Sequence, residues 1–211
     1  MYMSRVAIDT NNPRKMKSLN HLGAYHNWVE SSFPKEFVDQ VRTRKLWRID
    51  KVNGQEYLLI VSPNKPDQDA LEKYGVNGSA QVADYSSFLD SLEEGMEAQF
   101  RVRLNPVVSK SQAGKKRGRV VPLYGDESQL NFLLDRDKKN GFEINPATLC
   151  IVEKGFEPVK KRNEATIRLS SATYEGVLKI TDFEQFKQTL KEGFGRKKAY
   201  GFGLMTIIPM R

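Results

Sequence analysis

The two histidines of the chain, His21 and His26, are its best candidates for chemistry near neutral pH. An imidazole with an unperturbed pKa of about 6.5 can both take and give a proton. In its neutral form it deprotonates a hydroxyl; as an imidazolium it protonates a leaving oxygen. Five residues apart on one helix, the two rings diverge by about 140°, so the spacing predicts that only one serves a given reacting group. His26 follows Leu19 and Leu22 at helical spacing, which equally suits a histidine packed in a core. No HxH or HExxH pattern offers metal ligands, and the single cysteine, Cys150, makes neither an intrachain disulfide nor a zinc cluster. The expectation is acid–base chemistry with no metal and no cofactor.

The charge distribution points to the substrate class. The net charge of +8 divides unevenly: residues 1–98 hold 12 Lys/Arg against 14 Asp/Glu, and residues 99–211 hold 22 against 12. A basic half of this kind suits a polyanion, because each neutralised phosphate releases condensed counterions. Three clusters carry the excess. Lys110, Lys115, Lys116, Arg117 and Arg119 lie in SKSQAGKKRGR without an acidic residue; Lys160, Lys161 and Arg162 follow in VKKRN; Arg196, Lys197 and Lys198 lie near the C-terminus. Any one alone reads as a solvated face, but three in one half suit a phosphate backbone. The N-terminal MYMSRVAIDT lacks a signal-peptide apolar run and no 18 apolar residues run together, so a cytoplasmic protein without a membrane span is expected.

The elements that must position these groups follow from periodicity. A strand over 2–9, a helix through HLGAYHNWVESSF with Asn20 as N-cap and Pro34 as stop, two strands joined at Asn53-Gly54, a helix in DQDALEKYG and a strand near SAQVADY give the order βαββαβ. The order recurs with a strand over 96–108, a helix in ESQLNFLLDRDKKNG, strands in FEINPATLCIVEKGF and ATYEGVLKI, a helix capped by Asp182 and a strand in GLMTIIP. The predicted fold class is therefore α+β, two tandem ferredoxin-like domains. Residues 1–90 form the first, 91–98 a linker and 99–211 the second.

The segment EGFGRKKAYGFG places Gly193, Gly195, Gly201 and Gly203 around the third basic cluster. Its spacing is neither GxxxxGK[ST] nor GxGxxG, and it runs from helix to strand, the reverse of nucleotide cradles. KAYGFGLM matches the aromatic strand of RNA-recognition modules only in part. Two readings remain: a loop that packs closely on other backbone while offering cations and amides to RNA, or a connection that merely needs glycine.

Taken together, MYMSRV, HNWVESSFP, FRVRLNP, KKRGRVVPL, ATYEGVL and GFGRKKAYGFGLMTIIP resemble the CasE family, the CRISPR-associated endoribonucleases of type I-E systems, over the whole length. The resemblance implies a protein that grips a CRISPR repeat hairpin, cuts at its 3′ base and stays bound as a subunit of the Cascade complex. It selects His26 over His21 as the catalytic histidine, since the family's histidine stands in the same frame before the FP pair. Many relatives carry a tyrosine three residues earlier, where this chain has Gly23; Tyr25, adjacent to His26, is the candidate in its place, but it points about 100° away, so it does not simply replace that group and equally reads as an apolar residue of the helix. The expected reaction is metal-independent attack by a ribose 2′-hydroxyl, leaving 2′,3′-cyclic phosphate and 5′-hydroxyl ends. The alternatives are a non-catalytic hairpin-binding subunit and a protein-docking scaffold.

Overall fold

The computed structural model describes residues 1–111, 114, 118–160 and 165–210. In chain order the first half contains β1 (Tyr2–Ala7), α1 (Pro13–Ser18), α2 (Leu22–Ser31), α3 (Pro34–Val38), β2 (Leu46–Val52), β3 (Gln55–Ser62), α4 (Gln68–Glu72), β4 (Gln81–Asp84) and α5 (Ser86–Asp90). Its antiparallel sheet runs β2-β3-β1-β4, the ferredoxin-like order. Val6, Ile8, Trp47, Leu58 and Ile60 turn to one side of that sheet, where Leu22, Trp28 and Val29 of α2 cover them. The Trp28 indole N–H fastens α2 to α4 by donating to the Leu71 carbonyl at 3.1 Å. At the β2–β3 hairpin Asn53 and Gly54 take φ of 50° and 85°, the positive values that a two-residue turn needs.

The second half repeats the plan with β5 (Glu97–Leu104), β6 (Val107–Lys110), β7 (Arg119–Pro122), α6 (Asp126–Leu134), β8 (Phe142–Ile144), β9 (Cys150–Val159), β10 (Ile167–Ile180), α7 (Phe183–Glu192) and β11 (Met205–Pro209). The sheet order is β11-β5-β10-β8, with β9 also paired to β10. The chain thus consists of two tandem ferredoxin-like domains, the second carrying the β6–β7 hairpin as an insertion. Phe100, Val102 and Leu104 of β5 meet Phe132, Leu133, Phe186 and Leu190 of the two helices in its core.

Several local expectations need correction. Asn20 does not cap α2; His21 does, with extended backbone at φ −160° and its Nδ1 accepting the Ala24 N–H at 3.1 Å. Pro34 not only stops α2 but opens α3, as proline at a first helical position can. The polar stretch after β1 holds α1, capped by Asn12. The strand expected over 96–108 breaks at Asn105-Pro106, where the Asn105 amide turns to the Ser170 carbonyl at 2.6 Å. The strand expected in FEINPATLCIVEKGF is two, β8 and β9. The segment assigned to a linker contains the first two residues of β5.

The domains share their cores. Leu46, Val61, Tyr85, Leu89 and Leu92 of the first half pack into the cluster of the second, while Val159, Leu169 and Phe202 of the second pack into that of the first. At the seam, buried Arg48 on β2 grips Asp50 through Nε and Nη2, both at 2.7 Å. It also donates to the carbonyls of Arg101 (2.7 Å) and Leu204 (2.9 Å) and to the Thr206 hydroxyl (2.8 Å). Every partner outside β2 belongs to β5 or to the segment entering and forming β11. This planar fork, with its fixed donors, ties β2 to the sheet of the second domain.

Candidate functional site

The face of α2 that carries His26 meets the glycine-rich segment. Leu22, Tyr25, Trp28 and Val29 form the buried stripe of the helix. One step off that stripe, His26 is half-buried at the domain seam, with its ring centroid 5.9 Å from that of Tyr200. Burial lowers its pKa; Lys45 and Arg42 lower it further, and Glu30, one turn along α2, pulls the other way. The net shift is downward from 6.5, so the free imidazole is neutral at pH 7, the form that accepts a proton.

The glycines explain how Tyr200 reaches this position. Between α7 and β11 the chain closes a tight loop containing a 3-10 turn, Lys198–Tyr200. Gly193, Gly195, Gly201 and Gly203 all take positive φ, from 65° to 88°. A Cβ on Gly201 would stand 2.7 Å from Cζ3 of Trp47, and one on Gly193 2.7 Å from the Gly203 carbonyl oxygen. The loop therefore lies flat against β2, where the Trp47 indole N–H donates to the Ala199 carbonyl at 3.1 Å. Close approach, not a phosphate cradle, is what these glycines provide.

The structure separates the other expected residues. His21 spends Nδ1 on the cap of α2 and lines a groove with Lys51, Glu56, Arg103, Glu153 and Glu157, away from Tyr200. Tyr25 is 8% exposed and stacked on Trp47 at 6.0 Å. Burial, followed by the fields of Glu56 and Glu157, pushes its phenol up to about 12. Tyr25 thus faces the core and is not brought to His26. At Gly23 a Cβ would lie 2.9 Å from the Lys160 carbonyl and 3.0 Å from the His21 ring, so the space beside that glycine is already filled.

Among the cations, Lys110 and Arg119 are exposed and paired across the β6–β7 hairpin, Lys160 is exposed just past β9, and Arg196 and Lys197 are exposed on the glycine-rich loop. Lys198 turns inward, donating to the Gly193 carbonyl at 3.0 Å, and burial followed by the field of Arg44 lowers its pKa. Lys115, Lys116, Arg117, Lys161 and Arg162 lie outside the described residues. Sequence reasoning missed Tyr200, Arg42 and Arg44. The run RTRK at 42–45 was the available signal, masked by counting charge over whole halves. Among the described residues, no three of His, Cys, Asp and Glu converge as ligands for a metal ion, and no helix is long and apolar enough to cross a membrane.

Comparison with known proteins yields a consistent set. The family described as CRISPR associated protein matches residues 1–209. The CRISPR-associated endoribonuclease Cse3 of Thermus thermophilus is 24% identical over 99% of this chain and all of that protein. The CRISPR system Cascade subunit CasE of Escherichia coli is 26% identical over the full length of both. Among solved structures, Thermus thermophilus Cse3 bound to an RNA representing a pre-cleavage complex superposes with a TM-score of 0.79 at 22% identity, covering 99% of this chain and 98% of the other.

Proposed function

The chain belongs to the family of CRISPR-associated proteins, in its CasE branch, and on that premise we propose that it binds the hairpin of a CRISPR repeat, cuts the precursor transcript at the 3′ base of that hairpin and keeps the product as a Cascade subunit in the cytoplasm. The observation that carries the catalytic part is the placement of His26: half-buried, neutral at pH 7 and facing Tyr200 at the seam between the domains.

His26 takes the proton of the ribose 2′-hydroxyl. That oxygen attacks the adjacent phosphorus in line, the bond to the 5′-oxygen breaks, and the departing oxygen receives a proton from the imidazolium or from water. The ends are a 2′,3′-cyclic phosphate and a 5′-hydroxyl. No step in this sequence calls for a metal ion. The grip on the RNA comes from Lys110 and Arg119 on the hairpin, Lys160 past β9, and Arg196 and Lys197 on the glycine-rich loop, with Lys115, Lys116, Arg117, Lys161 and Arg162 of the intervening segments completing it. A-form RNA hides its base edges in a deep, narrow groove, so these cations read the shape of the hairpin first.

The test is incubation with a CRISPR repeat RNA in EDTA. Wild-type protein should cut once at the hairpin base, and His26→Ala should bind as before while the rate falls by about 10² to 10⁴. A 2′-deoxy substitution at the cut nucleotide should abolish cleavage without weakening binding. Protein that stays inert until Mg²⁺ or Mn²⁺ is added, or a His26→Ala variant that cuts at the wild-type rate, refutes the mechanism; protein that binds and never cuts is the non-catalytic subunit instead.

A further inference from the structure

The segment from Asp39 to Lys45 joins α3 to β2 without regular secondary structure, yet it is fastened at several points. The carboxylate of Glu36, 6% exposed on α3, accepts four hydrogen bonds. They come from the Thr43 N–H (3.1 Å), the Thr43 hydroxyl, the Lys45 ammonium (2.7 Å) and the Asn64 amide (2.9 Å). Burial alone would raise the pKa of Glu36, but these donors override it and hold the carboxyl at about 2. The Glu36 carbonyl also accepts the Val41 N–H at 3.1 Å.

Lys45 carries the connection to the helix of His26. Its buried ammonium lies 3.4 Å from Glu30, one turn past His26 on α2, and 4.9 Å from the centroid of the Phe33 ring. Two residues on, Trp47 bonds Ala199 beside Tyr200. Residues 43 to 47 are therefore tied at one end to the helix of His26 and at the other to the loop of Tyr200.

Arg42 and Arg44 flank the anchored Thr43, and both are exposed. Neither enters an ion pair among the described residues. Their fields reach the site from this side, that of Arg42 at His26 and that of Arg44 at Lys198. Lys198 is committed to the Gly193 carbonyl. Arginines held on a fastened backbone, without acidic partners, are suited to take an anion, because a guanidinium offers parallel donors to two phosphate oxygens.

Resting on the reading of His26 as the catalytic group, we propose that Arg42 and Arg44 bind the scissile phosphate and stabilise the charge that builds on its non-bridging oxygens during the attack, with Glu36 as the positioning residue that fastens their loop. The cations of the reacting phosphate then come from the acidic N-terminal half, and the basic half holds the hairpin. Fixed donors aimed at developing charge typically contribute about 10²- to 10³-fold to a rate.

The experiment measures single-turnover cleavage of a repeat RNA at saturating protein, in EDTA, with oxygen or sulfur at each non-bridging position of the scissile phosphate. Wild type, His26→Ala and the Arg42→Ala/Arg44→Ala double variant are compared, together with affinity for the cut hairpin product. The expected result is a roughly ten- to hundredfold slower chemical step in the double variant, a diminished penalty for sulfur, and affinity for the product within about threefold of wild type. A double variant that cuts at the wild-type rate while His26→Ala is inert overturns this inference alone. So does a double variant whose only defect is equal loss of affinity for substrate and product. A His26→Ala variant that cuts normally overturns the underlying reading instead.

Discussion

Alanine replacements at Gly155, Gly195 and Gly201 separate two reasons for needing glycine. Gly155 lies in β9 without a positive φ, and an added methyl would meet nothing within 4 Å, so Gly155→Ala should stabilise by about 0.5 to 1 kcal/mol through reduced backbone freedom in the unfolded chain. Gly195 has φ +84°, and its Cβ would meet only Leu104 Cδ2 at 3.4 Å. Gly195→Ala should cost the left-handed backbone term, about 1 to 2 kcal/mol. Gly201 has φ +80° and would drive its methyl to 2.7 Å from the Trp47 ring. That adds about 1 to 3 kcal/mol of overpacking to the backbone term, for a total of about 2 to 5 kcal/mol. With a urea slope of about 2 to 3 kcal/mol/M, the Gly201→Ala midpoint should fall by roughly 1 to 2 M, that of Gly195→Ala by about half as much, and that of Gly155→Ala should rise slightly. Equilibrium urea unfolding followed by tryptophan fluorescence is the assay, since Trp47 is itself the ring displaced. Equal midpoints for the Gly195 and Gly201 variants would show that the loop does not lie against Trp47.

Arg48→Ala should cost about 3 to 5 kcal/mol, because it removes the donor of three acceptors of the second domain and leaves the Asp50 carboxylate only the Arg101 Nε at 3.4 Å; calorimetry should show the melting temperature lower by roughly 6 to 20 °C, and an unchanged value would mean the seam does not depend on this side chain. Glu36 is held near 2 against an ordinary 4.5, so its contribution is present above pH 4.5 and is lost as pH falls toward 2. Glu36→Gln should therefore lower stability by about 2 to 3 kcal/mol at about pH 6, with the gap narrowing toward about pH 3; a gap that stays constant across that range would refute the assignment. For cleavage under subsaturating protein, the rate should rise with pH through an inflection below 6.5 as His26 loses its proton. The groups bearing on that ring are Glu30 on its own helix, Lys45 and Arg42 from the fastened loop, and Tyr200 opposite. Glu30→Gln should move the inflection lower, and movement upward would contradict the assigned electrostatics.

Much of the architecture was legible because its causes are local. Alternation marks β5, Asn53-Gly54 marks the hairpin, and Asp182 marks the start of α7 by accepting the Gln185 N–H at 2.9 Å. The failures arise where a side chain serves a distant element. His21 looked like a helical residue because nothing in its spacing shows that its ring replaces Asn20 as the cap. Tyr25 looked available because α2 presents it one position from His26, yet the face it occupies is decided by Trp47, on the strand that follows after α3. Arg42 and Arg44 were overlooked because the acidic residues around them neutralise any tally, while the structure commits Glu30 and Glu36 to Lys45 and leaves the two guanidinium groups exposed. The glycine-rich segment declared its unusual backbone in the sequence, but not the surface it lies against.

The pairing of β11 with β5 also has a bearing on biogenesis. β5 ends at Leu104 and its outer neighbour starts at Met205, so on the ribosome one edge of the second sheet stays open for roughly 5 to 20 s at common elongation rates. During that interval the nascent chain offers an unsatisfied row of amides and carbonyls to other polypeptides. Tyr200 emerges only at the close of the same interval, so an immature chain exposes a sticky border well before it can process any transcript.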